Sequence, residues 1–181
     1  MCAKKAHLGI PARTRSRTRD FRLSVRIRAK PVDVYRVLTS ARELCRWWLT
    51  GAETDTRNSG RLRMVWPKRS GCRSFFGKRE GCFVDLEPER KVAWMWRTGL
   101  RKNSVPPLCS FFILAKRRGC EVTLLHAGFS RRVAVDKAYA CFATGWEDAL
   151  AKLKLYLETG RTCKQEVLTL AGLKILLRPR R

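Results

Sequence analysis

The feature that most narrows the fold of this chain is a change of apolar period. From Phe21 to Phe129 the dominant repeat is two residues, and from about Val133 to Glu158 it becomes three to four. A repeat of two puts alternate side chains on one face of a strand, whereas the longer repeat draws a single stripe down a helix. A pair of short helical segments interrupts the strand region directly after the first strand. Strand, two short helices, a run of strands and one long closing helix is an order that lets a sheet bury one face against that last helix.

The individual segments follow from local chemistry. Phe21, Leu23, Val25 and Ile27 alternate with Arg22, Ser24, Arg26 and Arg28, giving a first strand over 21–29 with one dry and one wet face. Pro31 suits the first position of a helix running to about Leu38, where its missing N–H has no partner to lose. Ser40 and Glu43 have capping-box spacing and open a second helix that ends near Trp48 and Leu49, before Gly51. Further strands are predicted at 52–56, 61–66, 81–87, 91–97, 108–115 and 121–129, divided by turn-forming stretches such as Asn58-Ser59-Gly60 and Arg118-Gly119. Short turns between successive strands predict an antiparallel meander. The closing helix presents Val135, Ala138, Tyr139, Phe142, Trp146, Ala149, Leu153 and Leu157 on one stripe and stops at Gly160. Its roughly 25 residues span about 37 Å, enough to cross a sheet. Gly145 within it costs about 1 kcal/mol relative to alanine, so a close approach or room for a ligand is expected there.

Length and charge set the outer limits. A chain of 181 residues supports one well-filled core, and the formal charge of +25 makes the surface attractive to polyanions and anionic membranes. Residues 1–20 and 160–181 each hold six basic side chains and one acid, leaving +15 on the segment between them. Three parts are therefore expected: a basic flexible arm over 1–20, a folded domain over 21–160 and a basic amphipathic tail over 161–181. In that tail Val167, Leu168, Leu170, Leu173, Leu176 and Leu177, with Lys164, Lys174, Arg178, Arg180 and Arg181, suit either a helix lying on a membrane or partner, or one packed back onto the domain. Eight cysteines are scattered with no C-x-x-C pair, which argues against a zinc site and for reduced thiols in a cytoplasmic protein. No cofactor or metal is expected, and no apolar run reaches the roughly 18 residues of a membrane span.

Several blocks in order carry a resemblance. Val25 to Ala41, the Trp47-Trp48 pair, Asp85 to Trp96, Leu125-His-Ala-Gly-Phe129 and Gly145-Trp146 leading to Leu157-Glu-Thr-Gly160 resemble the SRPBCC (START-like) superfamily. Within it they are most similar to the branch named after the C-terminal domain of the activator of heat-shock-protein-90 ATPase, over about residues 21–160. The resemblance implies an α+β helix-grip fold, a curved antiparallel sheet wrapped around a long C-terminal helix, with two short helices after the first strand. It also implies a hydrophobic cavity, since members of the superfamily bind lipids, sterols, polyketides or plant hormones, and some are cyclases. The chain has no counterpart of the chaperone-binding N-terminal domain found in the larger eukaryotic namesake, so a chaperone partner rests on the family name alone.

The strand pattern points to the same interior. Val92, Trp94 and Trp96 share one face of their strand, and Val122, Leu124 and His126 share one face of theirs. Facing the helix stripe, Trp94, Trp96, His126, Phe129, Tyr139, Phe142 and Trp146 are candidate walls of a ligand cavity, with Trp47, Trp48 and Trp66 near its mouth. The same positions serve as plain core, because large aromatics at inward sites pack strongly, and the Trp47-Trp48 pair serves to staple the second helix onto the sheet. The leading expectation is binding of a hydrophobic or amphipathic small molecule. A cyclase-like reaction using His126 with Tyr139 as proton donor is an alternative, although the carboxylates Glu87, Glu89, Asp136, Glu147 and Asp148 read as turn or solvent positions with no acid–base pair among them. Nucleic-acid binding is a further alternative, carried by the stretch Pro67 to Arg79, in which basic side chains flank Phe75 and Phe76.

Overall fold

The computed structural model describes residues 18–67, 77–97, 108–131 and 135–177. Strand β1 (Thr18–Ile27) is followed by helices α1 (Pro31–Thr39) and α2 (Ala41–Trp47). Six strands come next: β2 (Gly51–Thr54), β3 (Arg61–Trp66), β4 (Gly77–Glu87), β5 (Lys91–Trp96), β6 (Leu108–Lys116) and β7 (Gly119–Ser130). The chain then forms the long helix α3 (Asp136–Thr159) and the short helix α4 (Leu170–Leu176). The strands make one open sheet in the order β1-β7-β6-β5-β4-β3-β2, with every neighbouring pair antiparallel. Helices α1 and α2 carry the chain from one edge strand to the other, and the meander returns it. The fold is the expected α+β helix grip.

Local signals account for most boundaries. Pro31 opens α1, and the Ser40 hydroxyl accepts the Glu43 N–H at 3.4 Å to cap α2. The reciprocal limb of the expected capping box is absent, because the Glu43 carboxylate is drawn to Arg36, Arg46 and the Tyr156 hydroxyl instead. Gly160 ends α3 in the left-handed region at φ 69°, with its N–H on the Tyr156 carbonyl at 2.8 Å.

Two expectations are corrected, and one of the two readings left open for the tail is found. The arm does not extend to Asp20: Arg19 pairs with Phe129 in β1–β7 register, forms an ion pair with Asp136 and lies 4.0 Å over the Tyr139 ring, while the Asp20 carboxylate accepts the Gly128 N–H. Strand β4 begins at Gly77 rather than Gly81, so Lys78 and Arg79 belong to the sheet. The tail packs back onto the domain, where Leu168 and Leu173 join Ala151 and Leu155 of α3 in a second small core. Residues 1–17, 68–76 with Phe75 and Phe76, and 178–181 with Arg178, Arg180 and Arg181 lie outside the described residues.

The tail is held by polar groups, two of which, Glu147 and Asp148, the sequence pattern puts at turn or solvent positions. Asp148 is 4% exposed and Lys152 2%, and they form an ion pair at 2.7 Å on the outer face of α3. Asp148 also accepts the Leu168 N–H at 2.7 Å, and Glu147 accepts that of Leu170 at 3.1 Å. Lys164 reaches from the tail to the carbonyl of Cys45 at 3.0 Å, tying it to α2. Burial raises the Asp148 carboxyl above its ordinary range, against the pull of the Leu168 N–H and Lys152. Among the described residues no helix is long and apolar enough to cross a membrane. Cys45, Cys82, Cys109, Cys120 and Cys163 carry free thiols, whereas Cys141 is disulfide-bonded, which corrects the expectation of reduced thiols at that position.

Candidate aromatic site between the sheet and helix α3

The concave face of the sheet is built by alternation. Leu62, Met64 and Trp66 of β3, Phe83 of β4, Val92, Trp94 and Trp96 of β5, Cys109, Phe111 and Ile113 of β6, and Val122, Leu124 and His126 of β7 are all buried. Helix α3 lays Phe142, Trp146, Ala149, Leu150 and Leu153 against them. Gly145 is itself buried on this helix.

The candidate residues converge. Trp47 stacks on Trp48 with ring centres 5.2 Å apart, and Trp48 meets Trp66 edge-on at 5.4 Å and Trp146 at 5.9 Å. Trp66 continues to Trp96, Trp96 to Trp94, and Trp94 to Phe111 at 5.1 Å. His126 touches Phe129 at 4.5 Å, Phe142 at 5.1 Å and Trp146 at 5.9 Å, and Phe129 carries the network on to Tyr139. All ten candidates thus belong to one chain of ring contacts, mostly edge-on or tilted as ring quadrupoles prefer. Phe111, which sequence reasoning left out, bridges Trp94 and Trp146; its inward parity on β6 was the signal for it.

Polar atoms in this interior are few and specific. The Trp146 indole donates to His126 Nδ1 at 2.9 Å, so the neutral imidazole carries its proton on Nε2. Tyr139 is not brought to His126: its hydroxyl donates to the Asp20 carbonyl at 3.4 Å, and Phe129 contacts both rings. Cys109 lies opposite Trp94 on one side and His126 on the other. Burial holds its thiol well above the ordinary range, outweighing a hydrogen bond from Trp96 and the positive charge of Arg79, and an inert protonated thiol results. The Trp94 indole N–H is buried and finds no acceptor among the described residues.

Arg79 is the residue that sequence reasoning misplaced. The sequence pattern groups it with the basic stretch Pro67 to Arg79 suited to phosphate contact, but it shares the inward parity of Phe83 on β4 across Gly81, and its guanidinium sits 5.9 Å above the Phe142 ring. Burial lowers its affinity for the proton relative to an ordinary arginine, although it stays cationic at neutral pH. An arginine at the edge of an aromatic interior, near Cys109 and Phe142, gives that end of the core a fixed positive charge.

Four clefts of about 300 to 740 Å³ are lined by described residues, and none of them includes a member of the ring network. Among the described residues these rings touch one another in succession along the interior.

Comparison with known proteins agrees with this architecture. The structure is similar to the Aha1 dimer of Colwellia psychrerythraea, with a TM-score of 0.65 and 20% identity over 78% of this chain and 98% of that one. It is also similar to protein MLL2253 of Mesorhizobium loti, at 0.62 and 18% over 77% and 96%, and to CalU16 of Micromonospora echinospora, at 0.58 and 19% over 79% and 78%. At these identities the likeness is one of fold. A search of curated proteins finds no match. The family model described as activator of Hsp90 ATPase homolog 1-like protein matches residues 28–158, most of the chain, from the residue after β1 through strands β2 to β7 and nearly all of α3. On that match and that fold, the chain belongs to the activator of Hsp90 ATPase homolog 1-like family, a branch of the SRPBCC superfamily.

Proposed function

We propose that this protein binds an amphipathic small molecule at the Arg79 end of its aromatic interior. The apolar body of the ligand lies against Phe142, Trp96 and Phe111, and its oxygen faces Arg79 and the Trp94 indole. The observation that carries this reading is the buried Trp94 N–H without an acceptor among the described residues. Leaving such a donor unpaired costs about 1–3 kcal/mol, which a ligand oxygen placed there recovers. A second support is the desolvated guanidinium of Arg79 on the same concave face, which favours a carboxylate or phenolate over an uncharged hydrocarbon.

Native mass spectrometry with solvent extraction of protein purified without denaturation tests the reading. Wild-type protein is expected to retain a small molecule or to take up dodecanoate with one-to-one stoichiometry. Arg79→Met and Trp94→Phe should each weaken dodecanoate uptake about tenfold while the protein stays folded. Wild-type protein that is empty and refuses dodecanoate, or uptake that neither substitution alters, overturns the proposal.

A further inference from the structure

Among the described residues the basic charge is not shared evenly between the clefts. One cleft of about 610 Å³ is walled by the end of β1, the β6–β7 hairpin, the last turns of α3, and α4. Seven of its eleven lining residues are lysine or arginine, against one carboxylate, Glu158. A second cleft of about 740 Å³, lined by the β4–β5 turn and by parts of β1, β6 and β7, holds Arg22, Arg90 and Lys91 beside Glu87, Glu89 and Glu121, and is balanced. A basic composition alone would have loaded both alike.

Ion pairing sharpens the contrast. In the basic cleft Arg28 and Lys154 share Glu158, and Arg26 lies 3.9 Å from Glu121. Lys116, Arg117, Arg118 and Lys174 have no ion-pair partner among the described residues. An adjoining cleft of about 460 Å³ reuses Arg28, Lys116 and Arg118 and adds Lys30. Four uncompensated cations facing a shared hollow repel one another, and folding brings them there from two elements far apart in sequence, the β6–β7 hairpin and α4. A polyanion seated in the hollow removes that repulsion, and guanidinium forks match phosphate oxygens in pairs. The hollow has the volume of a small-molecule site, whereas a nucleic acid strand tracks an extended basic stripe.

We infer that this cleft binds a compact molecule bearing several phosphate groups, at a site separate from the aromatic interior. The same chemistry is offered by a free polyphosphate and by the headgroup of a phosphorylated inositol lipid. The test is calorimetric titration of the full chain with sodium tripolyphosphate at about 150 mM salt, where diffuse surface attraction is screened beyond roughly 8 Å. A parallel arm uses phosphatidylcholine vesicles with and without phosphatidylinositol bisphosphate. The variant Arg117→Glu/Arg118→Glu alters two exposed residues at the hairpin tip. The control, Arg42→Glu/Lys137→Glu, makes the same change of net charge at exposed sites in the first turns of α2 and α3, where acids suit the helix dipole.

One-to-one binding of tripolyphosphate, weakened at least about tenfold in the hairpin variant and less than about twofold in the control, supports the site and a soluble ligand. Binding confined to the inositide vesicles with the same variant pattern supports the site and a lipid source. Equal weakening by both variants, no saturable binding to either probe, or tighter binding of a single-stranded oligonucleotide that the hairpin variant leaves unchanged overturns it.

Discussion

Helix α3 meets the sheet on one side and the C-terminal tail on the other, and different forces hold the two contacts. Toward the sheet it presents Phe142, Trp146, Leu150 and Leu153 to a continuous apolar and aromatic layer, in which the Trp146–His126 hydrogen bond is a buried directional link between helix and sheet. Toward the tail it presents Ala151 and Leu155, a thin apolar patch, and adds the buried Asp148–Lys152 pair and two backbone N–H groups of the tail on Asp148 and Glu147. The sheet contact draws on burial of large rings, which tolerates small shifts. The tail contact draws on matched charges and hydrogen bonds, which fail abruptly when one member is lost.

The contrast predicts a ranking of substitutions. Trp146→Ala should be the most damaging, at about 4–5 kcal/mol, since it removes the largest core side chain on the helix and strands the His126 acceptor. Chemical denaturation read by far-ultraviolet circular dichroism measures this, and a loss below about 2 kcal/mol would show that the interior is looser than its ring contacts indicate. Asp148→Ala should cost about 3 kcal/mol by leaving the Lys152 ammonium buried alone, whereas the paired change Asp148→Leu with Lys152→Met should fall within about 1 kcal/mol of wild type. Should the double variant be as unstable as the single one, tail docking depends on the bonds to the Leu168 N–H rather than on charge matching.

What was legible in the sequence follows the same division. Periods of two and of three to four gave the seven strands, α3 and the inward faces of β5 and β7, because apolar burial acts through regular spacing. Asp148 reads as a solvent residue because nothing in its own neighbourhood announces that Leu168 and Leu173 will return over it from twenty residues away. Arg79 was misread for a related reason. Its neighbours are basic and Gly-rich, so composition suggested a loop, and only the pairing of β3 with β4 from Arg61–Cys82 to Trp66–Gly77 reveals its inward parity. The clustering of unpaired cations from the hairpin and α4 is a tertiary fact of the same kind.

A smaller effect tests where α3 ends. Burial alone raises Glu158, but the Lys154 ammonium and the Arg28 N–H outweigh it and hold the carboxyl below its ordinary value of 4.5. A carboxyl lowered by folding adds stability above that ordinary value and loses it as pH falls through the folded one. Glu158→Gln should therefore cost about 1 kcal/mol at pH 7, and its deficit against wild type should close in acid below about pH 4. A deficit that stays constant with pH would mean that shape, not charge, keeps Glu158 in place.

The claim that the aromatic interior receives a polar-headed ligand is tested most directly by the indole N–H resonances of the six tryptophans, followed by nuclear magnetic resonance during addition of dodecanoate. The Trp94 proton is expected to move downfield as it gains an acceptor, the Trp146 proton already bonded to His126 is expected to stay, and Arg79→Met should suppress the shift. A Trp94 signal that remains still while dodecanoate saturates the protein, or that moves equally in Arg79→Met, would contradict it.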